Sequence, residues 1–368
     1  MASANPVSVA PFAAVPPTNF HPSQISSIKD LAKAVGQTAL PSNYNSLIDP
    51  RDKDPIDDSL APLIPVIDFS LLTSGDPDIH AKAVRDLHKA CVEWGFFMVI
   101  NHGISIKLME DVLGATGRFF ELPDEEKTKY EDKDVLTPVR YGTSFFTKAE
   151  SVHFWRDYLK VFTHPQCFLP SKPEGFREIA SEYCQKARGV AREIYRGMSE
   201  GLGLEPNAIL DAIGFGSDFQ HYIANYYPPC PQPDVALGQP PHSDNCALTL
   251  LIENGISGLQ VHHNGKWVNV NPLPNAIMVN IADQLEIVTG GKFRGNLHRV
   301  TLNNKVTRIS LALAHAPSFD KYIRPIPELF GNDHAEFKGM TYKEYFQHQQ
   351  SNQLFGKSCL DRARGLTG

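Results

Sequence analysis

His242-Ser243-Asp244 sets an imidazole and a carboxylate two residues apart. In an extended segment residues i and i+2 project to one face. Such a pair grips an ion from one side and needs a third ligand from elsewhere in the chain. His298 is the best candidate, 54 residues after Asp244 in Asn296-Leu297-His298-Arg299-Val300. Two histidines and one carboxylate on one face of an octahedral ion leave three positions open, as in non-haem Fe(II) oxygenases. Those positions suit a bidentate 2-oxo acid and then O₂. A His-x-Asp pair alone is common, so its weight depends on what accompanies it.

Arg308-Ile309-Ser310 accompanies it, ten residues after His298, in a run that includes the apolar Ile309, Leu311 and Leu313. Arg308 and Ser310 share a strand face that would line a barrel interior. Burying a guanidinium is costly unless an anion pairs with it. The distal carboxylate of a dicarboxylic co-substrate meets that need through the arginine fork. An internal Asp or Glu would meet it equally well. Most of the 14 histidines must be surface or hydrogen-bonded residues. His102 beside a turn reads as structural, His221 as either structural or functional, and His262 and His263 as facing opposite ways along a strand.

The elements that position these residues follow from periodicity. Ser27 caps a short helix to Val35, and Ile64–Phe69 is a short strand. Residues 77–94 repeat apolar groups at helical spacing (Val84, Leu87, Cys91, Trp94) and end at Gly95. Phe96–Ile100 reads as a strand, and helices follow around 106–120 and 174–203. From about residue 218 to 317 the chain breaks into short apolar or alternating runs, with Asn264-Gly265 as a hairpin turn. This is a helical first half framing an all-β sandwich or barrel. The strand at 96–100 needs partners among the later strands, because a lone strand is unstable.

Net charge is −6, which argues against a dedicated nucleic-acid binder. The six cysteines form no CxxC pair and read as free thiols of a reducing compartment. There is no run of 18 apolar residues, and no Lys or Arg precedes Lys29, so neither a membrane span nor a basic leader is visible. A cytoplasmic location is expected. A monomer is expected too, because no coiled-coil heptad or long apolar surface helix is seen.

The ordered set Pro65-Val66-Ile67-Asp68, Trp94-Gly95-Phe96-Phe97, Asn101-His102-Gly103, Phe119-Phe120-Glu121-Leu122-Pro123, Asn225-Tyr226-Tyr227-Pro228-Pro229-Cys230-Pro231, His242-Ser243-Asp244, Gly258-Leu259-Gln260, His298-Arg299-Val300 and Arg308-Ile309-Ser310 resembles the plant 2-oxoglutarate/Fe(II)-dependent dioxygenases of specialised metabolism. The resemblance covers about residues 60 to 350. It implies a mainly β fold with supporting helices, a distorted double-stranded β-helix or cupin-like jelly roll. Residues 211–320 would form the core, 1–210 a helical and stranded region packed on it, and 321–368 a C-terminal helical region.

The resemblance also implies roles. His242, Asp244 and His298 would hold Fe(II). Arg308 and Ser310 would clamp 2-oxoglutarate, with Asn225 and Tyr227 also touching it. Asn245, where several relatives have His or Val, would contact substrate. The stretch Val139–Phe146 with Trp155–Leu159 resembles coumarin-forming ortho-hydroxylases, which assigns Tyr141, Phe145 and Phe146 to a planar substrate. Those aromatics suit an ordinary core equally well. The expected reaction is hydroxylation of a small aromatic or polycyclic metabolite, releasing succinate and CO₂, with ascorbate supporting activity in vitro. Desaturation, demethylation or ring closure of an alkaloid or terpenoid by the same chemistry is the alternative. A non-catalytic metal- or small-molecule-binding jelly roll is the rival of another class.

Overall fold

The computed structural model describes residues 27–36, 40–46, 54–132, 134–143, 152–330, 336–351 and 358–364. In chain order the main elements begin with α1 (Ile28–Val35), β1 (Val66–Asp68), α2 (Phe69–Leu72), α3 (Pro77–Glu93), β2 (Phe96–Ile100), α4 (Ile106–Glu121) and α5 (Asp124–Lys127). Next come β3 (Val139–Thr143), β4 (Asp157–His164), α6 (Phe176–Gly201), α7 (Ala208–Ile213), β5 (Phe219–Tyr227), β6 (Gln239–His242) and β7 (Leu248–Glu253). The hairpin β8 (Leu259–His263) and β9 (Lys266–Asn269) leads to β10 (Ile277–Ile281), α8 (Asp283–Val288), β11 (His298–Val300) and β12 (Arg308–Ala316). The chain closes with β13 (Tyr322–Ile323), β14 (Met340–Thr341), α9 (Tyr342–Ser351) and α10 (Ser358–Ala363).

Local chemistry explains several boundaries. The Ser27 side chain accepts from the Asp30 amide and starts α1. Asp76 accepts from two amides at the start of α3, and Pro77 fits the first turn. Asn264 and Gly265 both adopt positive φ between β8 and β9, which a two-residue hairpin of this twist requires.

An eight-stranded sheet runs β1-β2-β10-β7-β12-β5-β4-β3, and a four-stranded sheet runs β6-β11-β8-β9. Four strands of the large sheet come from residues before 211, so the 210/211 boundary does not divide it. One face of the large sheet is backed by α4 and α6, whose Val112, Phe119, Tyr183 and Ile194 join Leu159, Ala224, Leu250 and Leu311 in the main core. Each large apolar side chain buried there contributes about 1.5–3 kcal/mol. On the other face, Phe96, Met98 and Met278 of the large sheet pack with Leu259, Val261 and Val268 of the small one. Two stacked sheets backed on one side by helices form the expected jelly roll. Among the described residues no helix is long and apolar enough to cross a membrane.

Four elements were not legible as such. Gln239–His242 carries two prolines and reads as a loop, although β6 sits at a sheet edge, where proline is tolerated. β3 and β4 mix charged residues (Arg140, Asp157, Lys160) with apolar and aromatic ones on both faces, which masks the alternation. α8 has six residues, too few for a helical period to register.

Candidate functional site

Strands β6 and β11 are antiparallel neighbours, and His242 and His298 are direct partners in their register. Their rings therefore project side by side, with centroids 4.2 Å apart. Asp244 follows just past the end of β6. Its Oδ1 lies 3.7 Å from Nε2 of each histidine. The three ligand atoms all fall within 4.8 Å of one another. That spacing fits a single ion held between them.

Surrounding groups orient all three donors. His242 Nδ1 lies 2.8 Å from the Pro240 carbonyl, and His298 Nδ1 lies 3.3 Å from the Asn296 carbonyl. A carbonyl only accepts, so each Nδ1 carries the proton and each Nε2 offers its lone pair to the cluster. Asp244 Oδ2 accepts from the Thr249 hydroxyl at 2.7 Å and from the Asn280 amide at 3.4 Å. Thr249 and Asn280 are cross-strand partners on β7 and β10. The Asp283 amide donates to the Asp244 backbone carbonyl at 2.9 Å. Burial and the neighbouring His298 push His242 down to about 3, so it is neutral near pH 7. Asp244 lies below the usual carboxylate range: burial works against its charge, but His298 and His242 outweigh it. Nothing in the sequence pattern marked Thr249 or Asn280. Their role depends on register between distant strands.

Arg308 is buried at the start of β12. Its Nε donates to the Ile256 carbonyl at 3.1 Å, and its Nη2 pairs with Glu253. Its Nη1 is buried with no hydrogen-bond partner. Both readings of this arginine therefore have a physical basis: an internal carboxylate engages one arm, and the other arm is a donor awaiting an acceptor. Burial opposes the charge on Arg308, but Glu253 outweighs it and raises the pKa. The guanidinium lies 5.2 Å from the Tyr227 ring centre. Ser310 pairs in register with both Asn225 and Glu253. Asn225 Oδ1 accepts from Arg156 Nη1 at 2.6 Å, and the Tyr227 hydroxyl donates to Gln239 at 3.1 Å. A Cβ on Gly258 would lie 3.0 Å from Arg308 Cδ, so a glycine at this position leaves room for the arginine.

The expected substrate residues fare differently. Tyr141 is turned to the helix-backed core, with Phe119 and Phe120 ring centres within 6.4 Å, and away from the His–Asp–His cluster. The strand alternation sets residue 141 on that core face with Leu159 and Ala224. Phe145 and Phe146 lie outside the described residues. Asn245 donates its side-chain amide to Gln349 of α9, which ties the segment after Asp244 to the C-terminal helix. His102 accepts from the Ile104 amide and meets the Asn275 carbonyl, a structural role. His262 pairs with Asp54 while His263 stacks on Trp94, so they do diverge. His221 is half-buried in ring contact with Phe162, 4.2 Å between centres.

The donor set fits a resident Fe(II), and the orphaned Nη1 of Arg308 fits an anionic co-substrate. Comparison with known proteins agrees. Residues 219–317 match the 2OG-Fe(II) oxygenase superfamily, and residues 64–181 match a family described as non-haem dioxygenase in morphine synthesis N-terminal. The chain is 42% identical over 303 residues to 2-oxoglutarate-dependent dioxygenase 19 of Oryza sativa subsp. japonica, covering 82% of this chain and 90% of that protein. It is 38% identical over 307 residues to flavanone 3-dioxygenase 2 of the same organism, covering 82% and 87%. The crystal structure of JOX2 in complex with 2OG, Fe and JA superposes with a TM-score of 0.82 at 31% identity, covering 93% of this chain and 98% of that one. The chain belongs to the 2-oxoglutarate/Fe(II)-dependent oxygenases and is an enzyme that uses Fe(II), 2-oxoglutarate and O₂ on a small molecule.

Proposed function

We propose that this enzyme hydroxylates a small aromatic or polycyclic specialised metabolite, with His242, Asp244 and His298 as the iron ligands and Arg308 and Ser310 as the clamp for 2-oxoglutarate. The observation that carries this reading is the pairing of a converging His–Asp–His cluster with a buried arginine whose Nη1 has no partner. Bound Fe(II) supplies the oxidising chemistry that couples O₂ and 2-oxoglutarate to substrate oxidation, releasing succinate and CO₂.

The protein's part is placement. Pro240 and Asn296 fix the two imidazoles by their Nδ1 protons. Thr249 and Asn280 fix Asp244 so that Oδ1 faces the cluster. Arg308 Nη1 and the Ser310 hydroxyl would hold the distal carboxylate of the co-substrate, and Arg156 keeps Asn225 in place beside it. The enzyme is proposed to act as a cytoplasmic monomer.

The test is incubation with Fe(II), 2-oxoglutarate, ascorbate and a panel of plant phenolics and alkaloids, with succinate and oxygenated products followed by mass spectrometry. Succinate release that rises with one class of compound, together with a product carrying one added oxygen, is expected. Absence of any succinate above the metal-free control contradicts the reading.

A further inference from the structure

We propose that His221 binds the substrate, and that the group it receives is a hydroxyl on a planar aromatic ring. The assignment rests on the oxygenase reading of the same interior and names the residue and the substrate group that meet there.

Tyr222, Ala224 and Tyr226 of β5 join the helix-backed core, so alternation turns His221, Ile223 and Asn225 to the opposite face. Ile223 shares a row with Ala312, Leu251 and Met278 across β12, β7 and β10. Leu251 and Met278 pack on the small sheet that carries His242 and His298. His221 stands one row further along, with Ala314, Thr249 and Asn280. Thr249 and Asn280 are the residues that hold Asp244 Oδ2. Neighbouring strands lie about 4.8 Å apart, so two spacings, about 10 Å, separate His221 from Thr249. A skeleton of two or three fused rings bridges such a distance. Three successive inward positions of β12, the strand between them, are Ala312, Ala314 and Ala316, whose side chains occupy little of that space.

His221 Nε2 is buried with no hydrogen-bond partner. The residue as a whole is half-buried, as are Phe162, Phe219 and Phe319. These rings form a continuous wall. Phe162 lies 4.2 Å from His221, edge-on, and 5.4 Å from Phe219. Phe219 lies 4.9 Å from Phe319, which lies 5.6 Å from Phe346 of α9. Through Gln349 the same helix reaches Asn245, next to Asp244. The wall therefore runs from β4 round to the helix beside the iron ligands. Half-buried rings favour a flat apolar ligand, but they would equally suit the rim of a core. The nitrogen among them decides between the two. A buried polar atom left unpaired costs stability, and phenylalanine would serve the ring contact without that cost.

The state of the imidazole selects the group it receives. Burial, above the nearby charges, pushes it down to about 3, so the ring is neutral near pH 7. Nε2 of a neutral imidazole donates in one tautomer and accepts in the other. A carbonyl or ether oxygen answers only the first. A hydroxyl answers both.

The probe is a set of plant phenols of two or three rings, each paired with the analogue that lacks one hydroxyl. Binding is measured by calorimetry to protein loaded with Mn(II) and 2-oxoglutarate, so that no turnover occurs. Wild-type protein should bind at least one phenol about tenfold more tightly than its analogue. His221→Phe keeps the ring contact and leaves no buried nitrogen unpaired, so it should fold at least as stably as the wild type. It should bring that ratio close to one. His221→Gln, whose amide both donates and accepts, should retain most of it. The ratio is read within each protein, so a change in folded fraction does not mimic the effect. Failure of every phenol to outbind its analogue, absence of binding included, overturns the proposal, as does a ratio unchanged in His221→Phe. The 2-oxoglutarate titration that precedes each experiment separates the two levels. If 2-oxoglutarate binds and no hydroxyl is preferred, only the assignment of His221 falls. If 2-oxoglutarate does not bind to wild-type protein, the reading of the site itself falls.

Discussion

Glu253 divides the arginine that the co-substrate needs. It pairs with Nη2 of Arg308, and its other oxygen is buried without a partner. A second carboxylate arriving at Nη1 meets this charge at close range. Glu253→Gln keeps the shape and an acceptor but removes the negative charge. It should tighten 2-oxoglutarate binding about tenfold, the value of roughly 1.4 kcal/mol. It should also lower the melting temperature of the ligand-free protein, because a buried guanidinium loses its counter-charge. A melting series with and without 2-oxoglutarate reads both effects, and an equal ligand-induced shift in the two proteins contradicts this role. Gly258→Ala acts on the same arginine from the other side. Its new methyl presses on Arg308 Cδ and Nε at 3.0–3.2 Å and on the Thr301 carbonyl at 3.0 Å, so KM for 2-oxoglutarate should rise, as steady-state kinetics would show. Thr249→Val frees Asp244 Oδ2 and should weaken Fe(II) binding about 10–100-fold, measurable by anaerobic calorimetry. At this scale the sequence carried the reacting residues and missed their supports. A His-x-Asp pair or an Arg-x-Ser pair is local, whereas Thr249, Asn280 and Glu253 meet their partners only through strand register.

At the scale of elements, the Asp157 side chain ties the start of α1 to the large sheet. Asp157 of β4 accepts from the Ile28 amide at 2.7 Å and the Lys29 amide at 3.0 Å. Burial pushes its carboxyl up to about 7, against the two amides that favour its charge. A carboxyl whose folded pKa exceeds its unfolded value binds more protons when folded. Its contribution is fully present below the unfolded pKa near 4 and is lost as pH rises through about 7. Wild-type melting temperature should therefore fall from pH 5 to pH 8 relative to Asp157→Asn, which cannot titrate. Parallel curves for the two proteins contradict the assignment. Elements followed the sequence where one face is uniformly apolar. α3, α4 and α6 and the strands β2, β5, β7 and β12 lie within a few residues of the positions expected from periodicity. β4 did not follow it, because its inward face is polar for the site: Tyr158 and Lys160 break the pattern that Leu159 and Val161 keep.

Taken whole, the chain builds one large sheet from both of its halves and stacks it on a small one that carries the two histidines. The large sheet ends in β1, of three residues, and β3, of five. Short edges give a second copy little to pair with, so light scattering across a concentration series should give the 40.8 kDa monomer. An active species found only as a dimer contradicts this. The central claim is that three side chains from β6, the segment after it and β11 form one iron site. Anaerobic calorimetric titration of Fe(II) into wild-type protein and into His242→Ala, Asp244→Ala and His298→Ala tests it directly. One Fe(II) per chain in the wild type, with affinity lost in each variant and circular dichroism unchanged, is the predicted result. Unchanged Fe(II) affinity in all three variants would contradict it.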